Sequence, residues 1–172
     1  MADDARADRL PELALQDTAR YQEHLFRLLL HNDDRALRAL SFYGAFIGVL
    51  ITASFALNQA NGFSAYAKIF IVVTIAILLV GCGLAYAALR TADIYLPGRK
   101  PDFWKWALVN EQDARSVIDA YLDQAELIIA NNEKLADRAS TILGWCYVCG
   151  ALAVPIATCV TLLAYLARTF IS

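Results

Sequence analysis

From Ala139 to Ala167 the chain has no Asp, Glu, Lys, Arg or His, and from Ala39 to Leu89 it has only Lys68. Charged residues make up 19% of its 172 residues, below the rough quarter usual in soluble domains. The shortage is local. Acidic and basic residues alternate densely through 1–38 and 90–138, and outside those blocks only Lys68 and Arg168 are charged. A chain divided in this way is built for two solvents.

Other absences narrow the function. The net charge is −2, with no large basic field, so nucleic acid is not an expected partner. The uncharged stretches hold no ionisable group of the kind proton-coupled transport uses, which argues against a pump or secondary transporter. No nucleophile–base pair, Gly-rich phosphate loop or metal box occurs, so the chain does not read as an enzyme and implies no cofactor or metal. No Gly-rich or Pro-rich linker and no internal repeat is present. Nothing oily precedes residue 39, so no cleavable signal peptide is expected and the first span would serve as its own insertion signal.

What is there is hydrophobic: 59% of the chain, with a mean hydropathy of +0.45. A bilayer core of roughly 30 Å takes about 20 helical residues. Three runs qualify: "ALSFYGAFIGVLITASFAL" (39–57), "IFIVVTIAILLVGCGLAYAAL" (69–89) and "TILGWCYVCGALAVPIATCVTLLAYLA" (141–167). Lipid offers no partner to an open strand's backbone, so the runs must be helices. A soluble bundle would need more polar chain than this to cover them. The expected fold is an all-α integral membrane protein with three transmembrane helices plus cytosolic amphipathic helices.

Orientation follows Lys and Arg. Arg6, Arg9, Arg20, Arg27, Arg35 and Arg38 precede the first span, and Arg90, Arg99, Lys100, Lys105, Arg115, Lys134 and Arg138 follow the second. Residues 1–38 and 90–140 are therefore expected in the cytosol. The loop 58–68, with Lys68 at its end, and the tail 168–172 are expected outside.

Leu10 to His31 reads as an amphipathic helix with Pro11 in its first turn, and Ala14, Tyr21, Leu25, Leu28 and Leu29 share a face. "HNDD" (31–34) reads as a break, with Asp33 or Asp34 capping the next helix. "LPGRKPDFWKW" (96–106) reads as non-helical because of Pro97, Gly98 and Pro101, with Phe103, Trp104 and Trp106 as anchors in the headgroup layer. From Glu111 a row of Ile118, Leu122, Ala125, Ile129, Ala136, Ala139 and Leu143 continues without a break as Cys146, Gly150, Ala153, Ala157, Val160 and Ala164. The last cytosolic helix is thus expected to be continuous with the third span, its cytosolic part about 45 Å long.

Small residues supply the candidate packing sites. Gly44 and Gly48, Gly83 and Ala87, and the seam Cys146, Gly150, Ala153 and Ala157 let helix backbones approach closely, within one subunit or between subunits. About 100° around the third span lies a mildly polar row of Tyr147, Ala151, Val154, Thr158, Thr161 and Tyr165, continued toward the cytosol by Glu126, Glu133, Asp137 and Ser140. Tyr147, Thr158, Thr161 and Tyr165 would line a cation pathway in an oligomer, or the hydroxyls bond their own backbone. Pro155 predicts a bend. Cys146 and Cys149 form C-x-x-C, read as small apolar filling along with Cys82 and Cys159. His24 and His31 read as surface residues.

The layout resembles the small membrane effectors of bacterial nucleotide-signalled antiphage systems, the Pycsar transmembrane type and the SLATT type. The stretches that carry the likeness are "ALRTADIYLPGRKPDF" after the second span and "IIANNEKLADRASTILGW" entering the third. The resemblance implies a homo-oligomer in the bacterial inner membrane that is channel-like or membrane-perturbing. A cytosolic protein or a nucleotide signal would trigger it through the cytosolic helices. The alternative expectation is a membrane scaffold subunit that docks a soluble partner through those same helices.

Overall fold

The structure, a computed structural model, describes residues 10–59, 64–89, 95–96, 101–109 and 113–171. Among the described residues the elements are four helices: α1 (Leu10–Gln59), α2 (Ala65–Leu89), α3 (Pro101–Val109) and α4 (Ala114–Ile171). Three of them, α1, α2 and α4, contain windows long and apolar enough to cross a membrane. The contacts divide the chain into two compact units, Met1–His31 with Ala92–Asp137, and Asn32–Thr91 with Arg138–Ser172.

Two expectations about local structure are corrected. "HNDD" is not a break: residues 31–34 lie inside α1. None of them is Gly or Pro. Asn32 is buried, and Asp34 accepts a 2.6 Å bond from Arg38 one turn on, a helical i,i+4 pair. "PDFWKW" is likewise helical, forming most of α3. Pro101 opens that helix, in the first turn where its missing N–H costs nothing.

In the first unit the buried row on α1 is Gln22, Leu25 and Leu29, packed with Ala136, Ile129 and Leu135 of α4. Tyr21 and Leu28 of the expected face are exposed instead. Tyr21 nonetheless donates a 2.6 Å hydrogen bond to Glu133. That acceptor, an anion beside a phenol, holds the Tyr21 pKa above its ordinary value. Asn132 is buried, donates through Nδ2 to the Tyr95 carbonyl at 3.0 Å and accepts from the Tyr95 N–H at 3.3 Å. One side-chain amide thus satisfies both backbone groups of a residue in the connection between α2 and α3. Phe103 of α3 meets Trp106 and Tyr121, at 5.8 Å and 6.5 Å between ring centres.

In the second unit three helices meet through rows of mostly small residues. The rows are Asn32, Ala36, Ala39 and Tyr43 on α1, Thr74, Leu78, Gly81, Ala85 and Ala88 on α2, and Ala139, Leu143, Cys146, Ala153 and Ala157 on α4. Alternating steps of four and three keep each row on one face. The buried Thr74 hydroxyl bonds the Phe70 carbonyl of its own helix, which lets it face the core without an orphaned donor. Pro155 lies within α4, which remains helical through it.

Candidate functional site

The centre of the second unit is a tyrosine set among glycines. Tyr43 is 5% exposed and its hydroxyl donates to the Cys146 carbonyl at 3.0 Å. In a helix that carbonyl also accepts the N–H four residues on, from Gly150. A Cβ on Gly150 would stand 2.8 Å from Tyr43 Cζ, and a Cβ on Gly81 would stand 2.9 Å from Tyr43 Cε2. Two glycines, one on α2 and one on α4, therefore make the slot that the ring fills. A lone Tyr in an apolar run gave no signal of this. Gly150 stands in the expected seam, but nothing in the sequence ties it or Gly81 to Tyr43.

The seam Cys146, Ala153 and Ala157 is buried, with Gly150 half-buried against Tyr43. These residues pack inside one chain. Gly44, Gly48 and Gly83 are placed differently: all are exposed, with no described residue within 4 Å of where a Cβ would stand, and Ala87, one turn after Gly83, is exposed as well. On the same flank of α1, three and seven residues beyond Gly48, Ile51 and Phe55 are exposed at 43% and 68%. In the apolar windows of α1, α2 and α4 only 6%, 22% and 17% of residues are buried. The unit's own packing thus leaves most of its apolar surface uncovered.

The row Tyr147, Thr158, Thr161 and Tyr165 lies on the outer side of α4, with Thr161 half-buried. Thr158 and Thr161 donate to the Val154 and Ala157 carbonyls of their own helix. Both hydroxyls keep acceptor capacity but spend their protons locally. Tyr165 meets Tyr66 edge-on at 5.6 Å, beside an open groove of about 670 Å³ that also touches Leu50, Phe70 and Leu162. Tyr147 carries the Arg35 guanidinium 5.4 Å above its ring.

Cys82, Cys146, Cys149 and Cys159 are free thiols. His24 and His31 are exposed. No group of His, Cys, Asp or Glu among the described residues is arranged to hold a metal. A small cleft of about 310 Å³ in the first unit is lined by Tyr21, His24, Glu133 and Asp137 together with Leu25 and Leu28. Of the expected interfacial anchors, Phe103 is half-buried and Trp106 exposed at 43%. Trp104 belongs to α3, and its side chain lies outside the described residues, as do residues 97–100 and 110–112.

Comparison of the chain with family models, curated proteins and solved structures finds no match.

Proposed function

We infer that this protein is a small oligomeric membrane effector, channel-like or membrane-perturbing, that acts in bacterial defence and is triggered through its cytosolic helices. The inner membrane takes the three apolar helices. The N-terminus lies in the cytosol and the C-terminus outside, because Lys and Arg crowd residues 1–38 and 90–138. The observation that carries the reading is the open glycine surface. A glycine deep in an apolar helix with nothing opposite it gains by close approach of another helix, and Gly44, Gly48 and Gly83 have no such partner among the described residues. A second copy supplies one. The Tyr147–Tyr165 face, also turned outward, is then available to the assembly.

The test is controlled overproduction in bacteria with a potential-sensitive dye. Wild-type protein is expected to depolarise the cells and stop growth, and Gly48→Leu to do neither at equal abundance in the membrane fraction. Depolarisation that is equal for the two proteins would contradict the proposed assembly surface, and healthy cells at full wild-type abundance would contradict the effector reading.

A further inference from the structure

We propose that a groove on the second unit binds one acyl chain of an anionic phospholipid, with the lipid phosphate held by Arg38 and Arg35. This rests on the proposed insertion in a membrane but not on the effector role. The groove has a volume of about 480 Å³ and runs between α1 and α4, within the size of small-molecule sites, roughly 300–1,000 Å³. Its chemistry is graded. Arg38 stands on its lining and is the charged residue among the described ones there. Arg35 stacks over Tyr147, which is also on the lining. From these guanidinium groups the wall runs through Phe42 and Phe46, whose rings lie parallel with centres 6.4 Å apart, and the opposite side ends at Val154.

From Arg38 to Phe46 the helix rises about 12 Å, enough to lie along most of one leaflet's half of a ~30 Å hydrocarbon core. A ligand that fits must carry an anion at one end and hydrocarbon at the other. A phosphate suits the planar donor fork of Arg better than a simple point charge does. Basic residues at the cytosolic rim between transmembrane helices are placed where anionic headgroups lie. Arg38 already pairs with Asp34, but that pair is exposed, at 78% and 50% of the two side chains. Exposed i,i+4 pairs are weak competitors for a phosphate. Anionic charge alone does not satisfy the groove, since all of its remaining described lining is apolar or aromatic.

The experiment uses the full chain purified in a neutral detergent and examined by native mass spectrometry. It is titrated separately with phosphatidylglycerol, with phosphatidylcholine and with glycerol 3-phosphate. Retention of one phosphatidylglycerol per chain is expected at about fivefold lower concentration than phosphatidylcholine, and no adduct with glycerol 3-phosphate. Arg35→Gln combined with Arg38→Gln should abolish the preference, and Val154→Trp should fill the groove and reduce both lipids alike. Equal retention of the two lipids by the wild type would overturn the proposal, as would an unchanged preference in the double variant. A bare dimer whose mass gains no lipid would give the groove to a second copy and also overturn it. Alkaline carbonate extraction of cell membranes separates the underlying premise. Protein released into the supernatant would refute membrane insertion, whereas protein retained in the pellet with no lipid preference would refute only the lipid site.

Discussion

Tyr43, Gly81 and Gly150 set how closely three helices approach. Tyr43→Phe keeps the ring but removes its bond to the Cys146 carbonyl, and is expected to cost about 0.6–1.5 kcal/mol. The melting temperature in detergent should fall by a few degrees without a change in helicity. Gly150→Leu inserts a side chain where the tyrosine ring already stands, so it should disrupt the fold of the single chain by about 1–3 kcal/mol or more. Tyr43→Ala in the same chain should restore part of that loss. If Gly150→Leu leaves the melting temperature unchanged, the slot is not as described. Asp33 provides a pH test outside the apolar runs. Burial raises its carboxyl pKa above the ordinary 3.8. A raised pKa means that the folded protein holds the proton more tightly than the unfolded chain. The fold is thus favoured below the unfolded value, and this contribution is lost as pH rises through the folded one. Asp33→Asn stays neutral throughout, so it should raise the melting temperature at pH 7, with the gain shrinking as the pH approaches 4. An equal difference at both pH values would contradict the burial of that carboxylate.

At the scale of elements, the three apolar helices were legible because charge is absent from them, and no competing signal interrupts those runs. The row from Ala125 to Ala157 was legible for the same reason: small and apolar residues recur at steps of three and four. The errors arose where polar residues looked like loop. Asn32 turns inward, and Asp34 is bonded along the helix to Arg38, so "HNDD" carries a helix rather than ending it. Pro101 resembles a breaker in the sequence but opens α3, since Pro is at home in a first turn. Tyr43 was not legible as a wedge, since its partners are glycines on two other helices and nothing near it in sequence marks them. Asn132 carries no local mark of its role, since its two bonds to Tyr95 depend on a segment distant in sequence. Asn132→Leu should release that segment. Hydrogen exchange at Tyr95 and Leu96 is expected to speed up at least several-fold while exchange in α2 stays the same. Unchanged exchange at Tyr95 would show that the amide does not hold it.

At the scale of the molecule, packing within one chain consumes Cys146, Gly150, Ala153 and Ala157 and leaves Gly44, Gly48 and Gly83 open. The small residues thus fall into two classes with different consequences. Substitution at Gly150 strikes the single chain, whereas substitution at Gly48, which meets nothing, strikes only an assembly. The most direct test of the account is therefore the native mass of the purified protein in a mild detergent, measured for the wild type and for Gly48→Leu. The wild type is expected at a multiple of 19.0 kDa, and Gly48→Leu at a lower multiple or as a single chain with an unchanged helical spectrum. A wild type that remains a single 19.0 kDa chain at the highest concentration reached would contradict the oligomer, and with it the channel-like reading.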